Sequence, residues 1–255
     1  MAGTLVIQSY RSQTEPAWIA ACLESVRAWA AGQGWDYRFF GDEILDRVPD
    51  WYREGAQGRW PVITDLARLL LVRDALAEGR DRALWVDADV LVFGKDGPDL
   101  SAAGDDYAFA RELWVQPDGD GIRVYRNVHN AVCWFGPGNP VLDFYIHACE
   151  RIVGRLQGGA PNQIVGPKFL TALHNMLEFP LMEDVGMASP LVARDIAAGG
   201  GPALRRLIDE SREPLRAMNL CASLVGREVD GVRMDAALMQ TAVARLRDDG
   251  EALFS

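Results

Sequence analysis

The sequence predicts an α/β fold in which a mostly parallel central sheet is flanked by helices. Apolar runs with strand character alternate with segments of helical periodicity over residues 3–93, which is the pattern of a parallel sheet. The predicted strands are continuously apolar rather than alternating, which indicates burial on both faces. No Pro/Gly/Ser-rich linker interrupts the 255 residues, so the chain is expected to form one domain.

The first half supplies five elements in order. Residues 3–10 (GTLVIQSY) form a short β-branched run, residues 16–31 carry apolar residues at helical spacing, and residues 35–42 (WDYRFFGD) indicate a second strand. Residues 62–79 predict a strong helix that Thr64 or Asp65 would cap and Gly79 would end. Residues 83–93 (ALWVDADVLVF) then predict a central strand.

The second half is less regular and predicts a smaller mixed unit. Residues 106–115 and 122–138 indicate strands that pair antiparallel, and residues 140–156, 166–177 and 234–250 indicate helices. The glycine-rich segment 195–203 (DIAAGGGPA) is the most flexible part by composition and is expected to be a mobile loop.

The composition limits the kinds of binding partner that we expect and the cellular compartment. The chain has 36 acidic and 26 basic residues, a net charge of −10, and no basic stripe, which argues against a nucleic-acid partner. The four cysteines have no metal-binding spacing and are expected to be buried free thiols. No stretch approaches the ~20 apolar residues of a transmembrane segment, and the N-terminus lacks signal-peptide features, so we expect a cytoplasmic protein.

Two acids, Asp87 and Asp89, interrupt the apolar run of the predicted central strand. Buried carboxylates are costly unless they are paired. Residues two apart share a face of a strand, and ligands of parallel sheets bind beyond the carboxyl ends of the strands, so the pair is expected to hold Mg²⁺ or Mn²⁺. The alternative is a strand-end turn with two solvated acids, because a bare D-x-D is a weak signal.

A second charged pair lies on the preceding helix. Asp65 and Arg68 are three residues apart and therefore share a helix face near its N-terminus. The functional interpretation is that they contact the same ligand as the paired acids. The structural alternative is a local surface ion pair of little energetic weight.

Several motifs resemble those of DXD-containing glycosyltransferases. The segment "ITDLARLLLVRDAL…RALWVDADV" is similar to their S-D-x-x-R helix followed by a strand ending in D-x-D. The segments "IQSYRSQTEPAWIAACLESVRAW", "HNAVCWFGPGNPVL" and "VGPKFLTAL" resemble their opening strand and helix, their N-A…P-G-x-P segment and their T-G-P-x-x-L-T segment. The nearest resemblance is to bacterial family 32 and capsular polysaccharide transferases, and a more distant one is to the large clostridial glucosylating toxins.

This resemblance implies a GT-A-type nucleotide-binding fold. Residues 1–94 would form the nucleotide-sugar-binding half and residues 95–255 the half that holds the donor sugar and the acceptor. Asp89 would ligate the metal directly, and Asp87 would contact the ribose and the metal. Asp65 and Arg68 would hold the donor hexose, with Arg68 also able to meet the diphosphate.

The resemblance also assigns substrate-binding positions outside these four residues. Asn130 would face the sugar hydroxyls, Tyr10 would stack on or support the uracil, and Gly166 with Pro167 would shape the loop beside the donor sugar. Gln8, on the first strand, belongs to the same substrate-binding set. For Tyr10 and Asn130 a core aromatic and a capping amide are the alternatives.

Two departures from the family pattern concern the C-terminal part. Relatives often complete the metal site with a His near a terminal S-W, whereas the matching stretch here is "MNLCASLVG", which contains Asn219 and Ser223 and has Leu224 in place of Trp. Asn219 and Ser223 could supply oxygen ligands instead. No histidine follows His174, which excludes an imidazole ligand from the tail.

The expected activity is metal-dependent transfer of a hexose from a nucleotide sugar to an acceptor hydroxyl, with retention of configuration. The expected donor is a UDP-hexose or UDP-N-acetylhexosamine, and a glycan, a natural product and a protein remain open as acceptors. Two other hypotheses remain. A HAD-type phosphatase also uses D-x-D at a strand end, and a non-catalytic sugar-nucleotide-binding protein would explain the altered tail.

Overall fold

The computed structural model describes residues 3–11, 15–101, 106–159 and 161–254. Its strands are β1 (Thr4–Ser9), β2 (Asp36–Phe40), β3 (Arg82–Val86), β4 (Val90–Val92), β5 (Tyr107–Asp118), β6 (Gly121–Phe135), β7 (Leu181–Met182), β8 (Val185–Met187), β9 (Ala217–Asn219), β10 (Glu228–Val229) and β11 (Val232–Arg233). Its α-helices are α1 (Ala17–Gly32), α2 (Asp50–Gly55), α3 (Trp60–Ala77), α4 (Pro140–Val153), α5 (Pro167–Leu177), α6 (Pro190–Ala197), α7 (Pro202–Glu210) and α8 (Ala236–Phe254).

The largest sheet has six strands in the order β2-β1-β3-β6-β5-β7. Strand β1 pairs in parallel with β2 and β3, and β5 pairs in parallel with β7. Strand β6 runs the opposite way, antiparallel to both β3 and β5. The predicted α/β class with a mostly parallel sheet is therefore confirmed, and so is the antiparallel pairing of the two long strands in the second half.

Both faces of this sheet are covered, as the continuous apolar strands predicted. Alternate residues of β1 enter different cores: Leu5 and Ile7 pack with α3 and α4, whereas Val6 packs with Val26 and Trp29 of α1. A third core joins α1 to α6, α7 and α8. The four cysteines are buried and unpaired, which confirms the prediction of free thiols.

A smaller mixed sheet brings the C-terminal half next to the end of β3. Its order is β4-β9-β8, with β4 antiparallel to β9 and β9 parallel to β8. Asn219 on β9 pairs with Val90, the first residue of β4. The tail segment around residue 219 is thereby fixed beside the Asp87–Asp89 turn.

The predicted cap of α3 is wrong, whereas its predicted end is confirmed. Helix α3 begins at Trp60, with Pro61 in its first turn, so Thr64 and Asp65 lie in the second turn and neither caps it. Gly79 follows the helix with φ +94°, as predicted for a residue that ends it. The Thr64 hydroxyl instead donates to the carbonyl groups of Trp60 and Pro61 within the helix.

The prediction of a mobile loop at residues 195–203 is wrong, because the segment is ordered by hydrogen bonds. It comprises the end of α6, a tight turn and the start of α7. The Asp195 carboxylate accepts hydrogen bonds from the backbone N–H groups of Ala203 (2.7 Å) and Leu204 (3.2 Å), which caps α7. A Cβ at Gly201 would overlap the Asp195 carboxylate, so the glycine permits close approach rather than mobility.

None of the helices in the described part of the chain combines the length and hydrophobicity required to cross a bilayer.

Candidate active site at the carboxyl end of β3

The predicted central strand is broken at the two acids. β3 ends at Val86 and β4 starts at Val90, with a turn from Asp87 to Asp89 between them. The Asp87 N–H donates to the Ala131 carbonyl (2.7 Å), and the Asp87 carbonyl accepts from Gln8 Nε2 (3.2 Å). The two acids therefore lie in a turn and not on one continuous strand as predicted, and their side chains contact different partners.

Asp65, Arg68 and Asp87 form an ion-pair network at this end of the sheet, and Asp87 has its most exposed carboxylate. Its Oδ1 accepts from Trp85 Nε1 at 2.6 Å and lies 3.2 Å from Arg68 Nη1. Its side chain is 26% exposed, against 5% for Asp65 and 7% for Arg68. Asp87 is thus the member of this network with the most surface available to a ligand.

Arg68 connects three elements through one guanidinium. Its Nη2 lies 3.2 Å from Asp65 Oδ1, its Nη1 donates to the Asn130 carbonyl (2.7 Å), and its Nε donates to the Thr64 carbonyl (3.3 Å). The guanidinium carbon also lies 5.3 Å from the centre of the Trp85 ring. Protein groups therefore occupy most of the Arg68 donors, and the pair with Asp65 is a buried ion pair rather than a surface one.

Asn130 reaches this network through an irregularity in β6. The neighbouring residues Phe109 and Ala110 on β5 pair with Cys133 and His129, so residues 130–132 are additional on β6. Such bulges redirect side chains and are common near active sites. Asn130 Nδ2 donates to Asp65 Oδ1 (2.8 Å) and to the Tyr145 hydroxyl (3.2 Å). The hydroxyl in turn donates to the Val165 carbonyl (2.8 Å).

Gly166 lies against the same acid, and Pro167 follows it as the first residue of α5. A Cβ at Gly166 would lie 2.7 Å from Asp65 Oδ2 and 3.3 Å from Asn130 Oδ1. The start of α5 therefore closes the network on the side away from Arg68, and only a glycine leaves room for the Asp65 carboxylate.

Asp89 is held by the C-terminal half rather than by Arg68. Its Oδ1 accepts from Asn219 Nδ2 (2.8 Å) and its Oδ2 accepts from the Ala222 N–H (2.7 Å). Asn219 Oδ1 accepts from the Cys221 N–H (2.9 Å), so the Asn219 amide is engaged at both ends. Ser223 is exposed, and the backbone of its neighbour, not its hydroxyl, contacts Asp89.

The two remaining predicted residues lie on or after β1. Gln8 is fully buried, and its Oε1 accepts from the Tyr37 hydroxyl (3.1 Å). Tyr10 is half-buried against the third core, with the Arg11 guanidinium 5.4 Å from its ring centre. Gln8 is therefore bonded to the Asp87 backbone, whereas Tyr10 stands farther out along β1. Their substrate-binding roles stay predictions.

Burial raises the pKa values of all three acids. The pKa of Asp65 rises to about 6 although Arg68 and Asn130 oppose the change. That of Asp89 rises to about 6 through burial and then through the charge of Asp87. Burial also raises the pKa of Asp87, which Arg68 opposes. Of these three carboxylates, Asp65 and Asp87 share the charge of Arg68 and Asp89 is bonded only to neutral groups among the described contacts, so the site carries surplus negative charge.

The donor set fits a hard divalent cation that completes its shell from outside the protein. Among the described residues, no group of three or more His, Cys, Asp or Glu side chains is arranged to hold a metal ion. Mg²⁺ and Mn²⁺ sites, however, often use one or two carboxylates with waters and substrate phosphates. Asp87 and Asp89 supply those two carboxylates, and Asn219 Oδ1 is already bonded.

Sequence reasoning missed three partners of the site. Trp85 could have been found, because it lies two residues before Asp87 and shares its direction. Tyr145 carries a polar hydroxyl on the apolar face of α4, which is a weaker signal. The Ala222 contact is made by a backbone N–H, so no side-chain pattern reports it.

We expect Gly166→Ala to destabilise the protein by about 1–3 kcal/mol, because the new methyl group must displace the Asp65 carboxylate. Urea denaturation measures this change. Gly159→Ala is the matched control, since a Cβ there meets no atom within 4 Å. Equal stability changes in the two variants would contradict the close packing of Gly166 on Asp65.

The pH dependence of stability should report Asp65. Its pKa is about 6 in the folded protein against an ordinary 3.8, so its contribution to stability falls as pH rises from about 4 to about 6. Between pH 5 and pH 7.5 the wild type should lose about 1 kcal/mol more free energy of unfolding than Asp65→Asn. Urea melts in chelator measure this difference. Groups that do not interact with Asp65, such as His129, whose pKa burial lowers to about 3, cancel between the two proteins. Parallel pH profiles would contradict the prediction.

The chain matches no protein-family model and no curated protein sequence. Among solved structures it is similar to a glycosyltransferase involved in glycosylation of the major capsid of PBCV-1, with 14% identity, a TM-score of 0.45, and coverage of 86% of this chain and 93% of that one. It is also similar to mannose-1-phosphate geranyltransferase from Thermus thermophilus (15% identity, TM-score 0.32, 65% and 67% coverage). A third similar structure is the glycosyltransferase GlyE of Streptococcus pneumoniae (10% identity, TM-score 0.32, 99% and 64% coverage). At TM-scores below 0.5 these similarities establish neither activity nor substrate, and the resemblance to family 32 stays a prediction.

Proposed function

We propose that this protein is a metal-dependent glycosyltransferase that moves a hexose from a UDP-sugar to an acceptor hydroxyl with retention of configuration. The proposed donor is a UDP-hexose or a UDP-N-acetylhexosamine, and the cofactor is Mn²⁺ or Mg²⁺. The observation that carries the proposal is the surplus negative charge at the carboxyl end of β3. Asp65, Asp87 and Asp89 oppose the single charge of Arg68, and Asp87 remains partly exposed.

Asp87 and Asp89 are the residues that would hold the cation. The bound ion would neutralise the charge that develops on the departing diphosphate. Asp89 is suited to this role because hydrogen bonds from Asn219 and Ala222 fix its carboxylate while each oxygen retains a free lone pair. Asp87 is suited because, among the described contacts, Oδ1 is bonded to Trp85 and Arg68 and Oδ2 is left for the cation.

Arg68 acts in this proposal mainly as a positioning residue. Its guanidinium neutralises Asp65 and aligns Asp87, and it holds the bulged backbone at Asn130. One Nη2 proton has no assigned acceptor among the described contacts and could meet a donor phosphate or sugar oxygen. Asp65, Asn130 and Gly166 would then form the wall beside the donor hexose.

Two observations favour a second function, a sugar-nucleotide-binding protein without catalysis. The Asp65 and Arg68 side chains are only 5% and 7% exposed. In addition, no histidine follows His174, so the C-terminal segment supplies no imidazole ligand for a metal at Asp89. Ligand-driven rearrangement would be needed to bring Asp65 into contact with a sugar. Nothing comparable favours a phosphatase, whose nucleophilic Asp87 would be restrained by Trp85 and Arg68.

The cytoplasmic location predicted from the free thiols remains part of this proposal. Four buried reduced cysteines agree with a reducing compartment.

Binding of free UDP tests the metal dependence. We expect Mn²⁺ to increase the affinity of the wild type for UDP by at least about tenfold over a chelated sample, because the ion would bridge the carboxylates to the diphosphate. Calorimetric titration measures the two affinities. Asp89→Asn should abolish the Mn²⁺ effect. The control Asp209→Asn, at an exposed position on α7, should leave it unchanged.

Thermal melting in chelator checks that Asp89→Asn is folded. If that variant is unstable, the wild type alone decides the question. A UDP affinity that saturating Mn²⁺ leaves unchanged would overturn the proposed metal role.

Turnover separates the candidate functions. With Mn²⁺ and a panel of UDP-hexoses and UDP-N-acetylhexosamines, we expect slow release of UDP even without an acceptor, because water can replace the acceptor hydroxyl. Release should fall by at least about a hundredfold in Asp87→Asn, since mutations that remove charge stabilisation at the leaving group have effects of this order. Tight donor binding without any release would favour the non-catalytic function. Phosphate release from simple phosphomonoesters instead would favour the phosphatase.

A further inference from the structure

A surface cleft between α2 and the end of α4 lies outside the candidate active site. Its volume is about 310 Å³, and its lining residues are Trp51, His147, Glu150, Arg151, Gly154 and Arg155. None of these residues belongs to the network around Asp87. The cleft combines an aromatic ring with charged and hydrogen-bonding groups, which is the composition of a polar ligand site rather than of a packing defect.

The sequence builds this cleft on one stripe of α4. Residues 147, 150, 151 and 154 have the i, i+3, i+4, i+7 spacing of a single helix face. Gly55 allows α2 to approach α4 closely, because a Cβ there would lie 2.9 Å from Val153 Cγ1. The Trp51 ring lies beside the end of α4, where a Cβ at Gly154 would be in ordinary contact with Cζ3 at 3.7 Å. The Trp51 indole therefore forms one wall, supported by an edge-to-face contact with Tyr52 at 5.6 Å.

Two arginines and one glutamate line the cleft, which gives it a positive balance of charge on an otherwise acidic protein. The side chains of Arg151 and Arg155 form no ion pair or hydrogen bond with any residue in the described ranges. Both residues are exposed, and Trp51 is 47% exposed. Two uncompensated guanidinium groups beside an accessible indole are suited to bind an anion that carries an apolar face.

We propose that the cleft binds a saccharide that carries a carboxylate or phosphate group. The apolar face of a pyranose ring would pack on the Trp51 indole while Arg151 and Arg155 bind the anionic substituent. Glu150 and His147 would accept hydrogen bonds from ring hydroxyls. A lipid surface is the less favoured occupant, because a flat bilayer makes little contact with the inside of a cleft.

The test uses the full chain in chelator, without any nucleotide. We expect calorimetric titration and ligand-observed NMR to detect saturable binding of trigalacturonate, and no binding of neutral maltotriose. The double variant Arg151→Gln/Arg155→Gln and the single variant Trp51→Ala should each weaken binding by at least about tenfold, because charge-assisted bonds and ring contact are both lost.

Matched variants separate the cleft from general charge and aromatic effects. Arg205→Gln/Arg247→Gln removes the same charge from exposed positions on α7 and α8, and Trp60→Ala removes an indole that is 61% exposed. Both should bind trigalacturonate as the wild type does. Thermal melts confirm that all variants are folded.

Four results would each overturn the inference: absence of saturable binding to the wild type, equal binding of maltotriose, equal loss in the matched variants, and equal affinity for inorganic phosphate alone. Binding to phosphatidylglycerol vesicles without binding to trigalacturonate would assign the cleft to a membrane instead. Because no nucleotide or metal is present, any of these outcomes is independent of the UDP and turnover experiments.

Discussion

The candidate site depends on one buried guanidinium. Arg68 forms ion pairs with a carboxylate on its own helix and with a carboxylate at the end of β3, and it donates a hydrogen bond to a backbone carbonyl in β6. Its guanidinium therefore connects α3, β3 and β6. Burying such a charge is unfavourable unless nearly all of its donors are occupied. The structure satisfies this condition. As a result, the relative positions of α3, β3 and β6 at the carboxyl end of β3 are closely constrained.

Other local features follow from that constraint. The three additional residues in β6 bring the Asn130 carbonyl to Arg68 and its amide to Asp65, which a regular strand could not do together. The absence of a side chain at position 166 leaves room for the second Asp65 oxygen. Asp89 is excluded from this network and is fixed instead by the tail, through Asn219 and Ala222. The two acids of the D-x-D turn are therefore held by opposite halves of the chain.

Local sequence patterns predicted the elements well and their interruptions poorly. The β1-α1-β2 and α3-β3 segments lie close to where periodicity and apolar runs indicated, because burial on both faces leaves a strong signal. The break after Val86 was missed because the flanking residues are all good strand formers, and only pairing to Ala131 and Asn219 distinguishes two strands from one. The segment 195–203 was misjudged from its glycines, although Asp195 supplies the cap that orders it. The motifs indicated polar side chains that the fold does bring together, but not the contacts that hold them. The burial of Arg68 and Asp65 depends on the bulge in β6 and on the start of α5, both of which are tertiary features.

The surplus charge at this site links stability to binding. Each of the three carboxylates has a raised pKa, so its ionised form is less favourable in the folded protein than in the unfolded chain. A cation bound here would relieve the repulsion among these carboxylates, and it would stabilise the fold by mass action as any ligand that prefers the folded state does. Because Asp87 and Asp89 are fixed by different halves of the chain, such a ligand would also strengthen the contact between those halves. The electrostatic imbalance that lowers the stability of the free protein is therefore the imbalance that the proposed Mn²⁺ or Mg²⁺ would relieve at the carboxyl end of β3.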